Sequence, residues 1–575
     1  MATSPEDAVP AALPSDLEIA RQAFLKPIDD IAARLGLPPG VVEPYGHHVG
    51  KIPLEAIEQL AERPRARYVV VSAITPTPLG EGKTTTSVGL AQGFHHIGRT
   101  ATVALRQPSM GPTLGIKGGA AGGGWSQVVP MERINLHLTG DIHAVTAAHN
   151  LLAAVVDNHL IQRDGVPMDP ARVAWRRVVD INDRALRNVV IGLGGPENGI
   201  PRETGFEITA ASEVMAILAL ADSLEDLRRR LGRIVVAWTR DGEPVTADDL
   251  KVAGAMAVML KEAIKPNLMQ TLENTPALIH AGPFGNIAHG NSSILADRIG
   301  IHGGDFLVTE AGFGADMGAE RFFNIKCRAS GMTPDAAVLV ATVRGLKLHS
   351  GRHRVVAGRP LPSGMLRESP EDVAAGADNL RKQIENIRLH GVSPVVAINA
   401  FPGDYPSEHA VIREVAEAMG ARVAVCTHVR DGGAGAAELA EAVAEAAEEP
   451  GDFRFLYAAG TPLEGKIECI AREVYGADGI DPSALARRQL KEFTAQGYGE
   501  LPVCIAKTHL SLSSDPALRG APRGWRMPVR EVRLSAGAGF VYALCGDIRT
   551  MPGLGAQPAA AAMDLDAEGR IHGLF

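Results

Sequence analysis

Seven short apolar runs, rich in β-branched residues and separated by helical patterns, restrict this chain's fold more than any other feature. They cover residues 68–74, 101–106, 277–280, 305–310, 337–343, 394–401 and 422–429. Their β-branched content and flanking Gly or Pro predict strands. The clearest helical stripe between them carries Val373, Ala377, Leu380, Ile384 and Ile387, with Gly391 as its stop. Strand and helix in repeated alternation predict an α/β fold built on a doubly wound, mainly parallel sheet.

The first run leads into Thr77, Pro78, Leu79, Gly80, Glu81, Gly82, Lys83 and Thr84, and Leu90, Phe94 and Ile97 then recur on one helical face. A strand, a loop and a helix opening at Gly-Lys-Thr make a phosphate cradle, because loop amides and the helix N-terminus converge on one anion. The fold expected is therefore P-loop NTPase-like. Lys83 would reach the β- and γ-phosphates of a nucleotide, and the Thr84 hydroxyl would sit on its magnesium. Thr77 stands where the usual pattern has Gly, and a Gly-rich turn with a chance Lys-Thr is the bland alternative.

Ligands in such sheets lie outside the carboxyl ends of the strands, so the loop, Arg106, Glu310, Phe401 and Val429 should share one cleft. Arg106 can clamp a carboxylate or stabilise a transferring phosphoryl group, or serve only as a structural ion pair. Phe401 reads as a stacking platform for a flat ring or as a cap on the core, the residues alone leaning slightly to the cap. The glycines of 118–124 read as a lid, a close-approach loop or a linker. The GFGADMG turn at 312–318 resembles a dinucleotide fingerprint with one extra residue, with Arg344 a candidate for the second phosphate of NADP. Only a short helix follows it, and the first loop is the stronger phosphate site. His137, His143 and His149 fall at intervals of six, which is not a helical ligand spacing.

A length of 575 residues predicts about three domains. Residues 1–15 read as a tail. Residues 16–135 with 262–445 form the nucleotide-binding domain, 136–261 an inserted α+β subdomain with a long helix over 209–231, and 446–575 a mixed C-terminal domain. The last has a helix over 485–493 and short strands beside SAGAG and MPGLG turns. A net charge of -9 with no basic block argues against nucleic acid or an anionic membrane as the main partner. Five cysteines without a Cys-x-x-Cys pair read as reduced, mostly buried thiols. With no apolar span or leader pattern, the expected location is the cytoplasm.

Several long segments together resemble the formate–tetrahydrofolate ligases: TPLGEGKTTT at 77–86, RQPSMGPTLGIKGGAAGGGWSQVVPMERINLHLTGD at 106–141, GPFGNIAHG at 282–290 and VTEAGFGADMGAE at 308–320. The likeness continues through PVCIAKTHLSLSSDP at 502–516, TMPGLG at 550–555 and the terminal GLF, and its extent is that of the monofunctional form. It implies ATP-dependent formylation of tetrahydrofolate at nitrogen 10 through formyl phosphate, with magnesium, a monovalent cation (potassium or ammonium) and a homotetramer. By similarity Lys83 and Arg106 are catalytic, Thr77 to Thr84 bind the nucleotide, Thr84 assists the metal, and Phe401 stacks on the pterin. The chain departs from the family pattern at Val429, where a second aromatic wall of the folate slot is usual, at Gln107, where Glu is common after the clamp, and at His509 and Leu510. A polyglutamate tail on folate or Trp125 are the candidates to make up for Val429. The competing readings are a switch ATPase, which usually has a second lysine near position 77, and a ligase homologue with altered folate specificity.

Overall fold

The structure is a computed structural model describing residues 14–115, 121–162, 165–356 and 360–574; the tail 1–13 and the glycines 118 and 119 lie outside the described residues. Its centre is a twelve-stranded sheet. In chain order its strands are β1 Glu43–Pro44, β2 Gly50–Lys51, β3 Arg67–Ala73, β4 Ala101–Leu105, β5 Gly122–Gly123, β6 Ser126–Val129, β7 Asn267–Thr271, β8 Pro276–Ile279, β9 Phe306–Glu310, β10 Ala336–Ala341, β11 Ser393–Asn399 and β12 Arg422–Cys426. The spatial order is β1-β2-β7-β8-β4-β9-β3-β10-β11-β12, with the β5–β6 hairpin attached to β7. Every pairing from β8 to β12 is parallel, and these seven strands are the seven apolar runs. The remaining strands join antiparallel at one side.

A parallel sheet is stable only with both faces covered. β3 shows how its residues divide. Val69, Val71 and Ala73 pack with Val88, Leu90 and Phe94 of helix Lys83–His96 and with Leu439 and Val443 of helix Ala437–Glu448. Tyr68 and Val70 point the other way, into a cluster with Leu380, Ile384 and Ile387 of helix Pro370–Arg388. Each such side chain contributes on the order of 1.5–3 kcal/mol when fully buried. Helix Pro370–Arg388 starts where it does because the Ser369 hydroxyl accepts the Asp372 amide and Pro370 fills the first turn without an amide to satisfy.

The long helix expected over 209–231 is instead three pieces: a single 3-10 turn Thr209–Ala211, then helices Glu213–Leu220 and Leu224–Gly232. Ser212 and Ser223 cause the breaks. Each turns its hydroxyl onto a following amide, of Val214 and Asp226, and so starts a new helix. The uninterrupted apolar run 214–221 is buried on all sides, packed among helices Asp141–Gln162, Leu224–Gly232 and Ile294–Gly300. Toward the C-terminus, helix Ala484–Phe493 lies where expected, and strands Glu531–Ser535 and Phe540–Leu544 pair antiparallel about the SAGAG turn. Strand Val503–Ala506 adds in parallel beside Phe540–Leu544. Four cysteines are buried and Cys469 is half-buried. Among the described residues no helix is long and apolar enough to cross a membrane.

Candidate active site

The loop after β3 is held from within. The Thr77 amide and hydroxyl donate to Glu81 Oε1 at 3.0 and 2.9 Å, and Thr342, just past the end of β10, donates to Glu81 Oε2 at 2.6 Å. Glu81 is 2% exposed. A glycine at 77 would remove the hydroxyl donor, so Thr77 has a structural reason to stand where the common pattern has Gly. Asn399, the last residue of β11, donates to the Glu81 carbonyl at 3.1 Å. Gly82 has φ 76°, and a Cβ there would lie 2.4 Å from the Asn399 amide nitrogen, so only glycine fits.

Gly82 then caps helix Lys83–His96, whose first residues face β9 and β4. The Thr84 hydroxyl donates to Glu310 Oε2 at 2.5 Å, and Glu310 Oε1 lies 3.7 Å from Arg106 Nη2. The Arg106–Glu310 pair is loose. One guanidinium nitrogen donates to the Pro283 carbonyl at 3.3 Å, and the side chain remains 29% exposed, so the group keeps donors for an incoming anion. Burial draws the Lys83 ammonium below the ordinary lysine range, opposed by the attraction of Glu310 and Glu81. Among the described residues its ammonium makes no hydrogen bond or ion pair. Two cations and two carboxylates therefore face one another at the strand ends. Gln107 and the segment 281–291 wall this cluster with buried polar side chains whose atoms find no partner among the described residues: both amide atoms of Gln107, both ring nitrogens of His289, and the carbonyl oxygen of Asn291. Burial, with Lys326 and Arg106 nearby, pushes the His289 ring well below the ordinary histidine range, so it is neutral. Gly312 of the GFGADMG turn presses on the Arg106 guanidinium, with the place of its Cβ 3.1 Å from Nη2, so this turn lies against the clamp.

Comparison with known proteins decides the family. A family model described as formate–tetrahydrofolate ligase matches residues 14–575. The chain belongs to the formate–tetrahydrofolate ligase family. A ligase of that name from Saccharopolyspora erythraea is 69% identical over 562 residues, covering 98% of this chain and 100% of the relative. Formate–tetrahydrofolate ligase 1 of Rubrobacter xylanophilus is 66% identical over 571 residues, covering 98% and 99%, and the Cutibacterium acnes ligase 62% over 561 residues, covering 98% and 100%.

Phe401 and Val429 follow the carboxyl ends of β11 and β12. Phe401 follows β11 in a turn where its amide donates to Asp404 Oδ2 at 2.9 Å. Its ring is half-buried, belongs to no apolar cluster among the described residues, and carries the Arg344 guanidinium 4.4 Å above its centroid. Arg344 thus stacks on a ring. Val429 lies in the short helix His428–Asp431, and its carbonyl accepts the Trp125 amide at 2.9 Å. The Trp125 side chain, 38% exposed, belongs to the residue hydrogen-bonded to Val429. Position 429 is set against the phosphate helix by two glycines. A Cβ on Gly89 would come 2.7 Å from the His428 side chain, and one on Gly93 would come 2.8 Å from the Ala436 carbonyl. His509 stacks on Phe313 with centroids 4.7 Å apart, and Lys507 is buried 3.4 Å from Asp316.

Of the five places named from the sequence, the loop, Arg106 and Glu310 come together through Thr84 and Glu310, whereas Phe401 contacts Arg344 and Val429 contacts Trp125. Thr342 and Asn399 were missed. Both stand at carboxyl ends of parallel strands, so the same rule, applied at β10 and one turn earlier at β11, would have found them. His289 and Asn291 gave no such signal, because only the fold shows that their polar atoms are buried without partners among the described residues.

Proposed function

We propose that the chain joins formate to tetrahydrofolate at nitrogen 10 at the expense of ATP, releasing ADP and phosphate. The observation that carries this reading is the meeting of the phosphate loop, Arg106 and Glu310 at one set of strand ends in a chain of this family. Formate as a carboxylate is a poor electrophile. Its oxygen attacks the γ-phosphorus of ATP, ADP leaves, and the resulting formyl phosphate has phosphate as its leaving group. The nitrogen-10 amine of tetrahydrofolate attacks the formyl carbon, phosphate departs, and the nitrogen loses its proton. Lys83, with no partner among the described residues, faces the transferring phosphoryl group, and Arg106 holds first formate and then formyl phosphate through its spare donors. The amides of Thr77 to Thr84 cradle the other phosphates. Thr84 and Glu310 bring two oxygens together, a donor pair suited to magnesium, which would neutralise charge on the phosphates. Phe401 offers a face to the pterin beside Val429.

Further parts of the reading are ours as well. The central region has a P-loop NTPase-like, doubly wound fold. The chain divides into 16–135 with 262–445, an insert 136–261, and 446–575, the insert sharing its apolar cluster with Ala288 and Leu295 of the first and with Cys504 and Phe540 of the last. It works in the cytoplasm as a homotetramer. Neutral Gln107 beside the clamp holds potassium or ammonium less strongly than a carboxylate would, so dependence on either ion is shallow. The deciding experiment is ADP release by the purified protein. It should require formate and tetrahydrofolate together; release with neither present, or turnover indifferent to folate, would overturn the reading.

A further inference from the structure

A second cavity, of about 490 Å³, lies between the 176–206 segment and the C-terminal strands. Its charged lining is Arg176, Arg187, Arg530, Arg533 and Arg549 against the single carboxylate of Asp547. The neighbouring cavity of about 690 Å³ gives the contrast, since it sets four arginines against four glutamates. Like charges gathered in one concavity repel, and in a chain of net charge -9 this concentration of guanidinium groups runs against the average.

The arginines also keep unused donors. Among the described residues the Arg530 guanidinium makes no hydrogen bond or ion pair, and Arg549 only grazes Asp547 at 3.6 Å. Arg176 gives one 3.4 Å contact to the Arg187 carbonyl, and Arg187 spends only Nε, on the Met551 carbonyl at 2.9 Å. Arg533 alone is well paired, with Glu531 at 2.8 Å. The walls are tied across by Ile208 N–H to the Thr550 carbonyl at 3.0 Å and by Thr550 Oγ1 to Glu207 Oε1 at 3.0 Å, so the backbone that presents these side chains is fixed. Phe206, Leu544 and Ile548 supply an apolar floor. The volume is that of a small-molecule site. Phe284 and Ile287, from the segment whose Pro283 carbonyl meets Arg106, pack with Leu544 and Ile548, which places the cavity behind the wall of the catalytic cleft.

We propose that this cavity is a binding site for a small polyanion, a molecule bearing several phosphate or carboxylate groups, separate from the phosphate loop. Forked guanidinium donors suit both groups. The test is calorimetric titration of the full-length protein with inorganic tripolyphosphate and, in a second arm, with citrate. Lys83→Ala removes the contribution of the phosphate loop, and one binding event should remain, weakening as salt is raised. Arg530→Ala should reduce that affinity by roughly tenfold, and adding Arg549→Ala should reduce it again, since each removes a charge-assisted contact. Both side chains are exposed, so folding is spared, and Arg530→Lys should keep most of the binding. The tighter of the two probes names the group the site selects. Unchanged affinity in the double variant, or no titration once Lys83 is replaced, would overturn the proposal. So would a changed sedimentation coefficient with affinity intact, which would mark the arginines as a subunit contact.

Discussion

The Glu81 side chain holds the phosphate loop in shape from within, apart from any contact its backbone amide makes with phosphate. Its buried carboxylate gathers three donors, two from Thr77 and one from Thr342. Thr342→Val keeps the side chain's shape and deletes one of them, which should cost about 1–3 kcal/mol in thermal unfolding and raise the KM for ATP more than that for folate. Because the Thr342 hydroxyl also accepts the Gly345 amide at the start of helix Val343–His349, the KM for ATP is the deciding readout, and a loop shaped by its own backbone alone would leave it unchanged. On the folate side, Trp125→Ala should raise the KM for tetrahydrofolate several-fold if the indole beside Val429 serves as the missing wall, the loss of one aromatic contact being roughly 0.5–1.5 kcal/mol. In that protein Val429→Trp should restore affinity, and steady-state kinetics on the two variants checks both statements. Thr77 was legible as an oddity in the sequence, but its partner Thr342 stands 265 residues away in the chain, beyond the reach of any local pattern.

At the scale of elements, helix Lys83–His96 is packed too closely to accept two methyl groups. Gly93→Ala gains about 1 kcal/mol of helix propensity, yet its Cβ would meet the Ala436 carbonyl at 2.8 Å. Overpacking against backbone costs about 1–3 kcal/mol, so the balance should be destabilising, and a rise in melting temperature would contradict it. Helix Glu213–Leu220 carries a pH-sensitive group. Burial raises the Glu213 carboxyl from 4.5 to about 7, against the Gly537 and Ala538 amides that donate to it. The folded state therefore binds the proton more tightly than the unfolded chain does. Stability is lost as pH rises from about 4.5 through about 7 and changes no further above that. Glu213→Gln should flatten this slope in denaturant melts run across the same range. The seven parallel strands were legible because strands covered on both faces are written as apolar runs. The antiparallel extension was not: Gly50–Lys51 is two residues long, Asn267–Thr271 mixes polar and apolar side chains, and their partners are set by distant segments. The helix over 209–231 failed because an apolar run covers positions on both sides of Ser212 and hides the cap.

Across the whole molecule, buried polar links join the C-terminal region to the sheet. Lys507 pairs with Asp316 at 3.4 Å, both nearly inaccessible, and the buried Arg321 donates to carbonyls of Ala288 and Ile505. Asp316→Ala would strand the Lys507 ammonium in a low-dielectric interior, a loss of about 3–5 kcal/mol. Calorimetry should then show the C-terminal region melting ahead of the rest, whereas an unchanged single transition would show the pair to be dispensable. The glycine face of helix Lys83–His96 has a consequence at this scale too. The helix whose first turn is proposed to meet phosphate carries residues 428–436 on its flank, at Gly89 and Gly93. Under that proposal, filling the phosphate site and shaping position 429 are mechanically coupled. Nucleotide and folate should then alter each other's binding by equal factors, with neither touching the other.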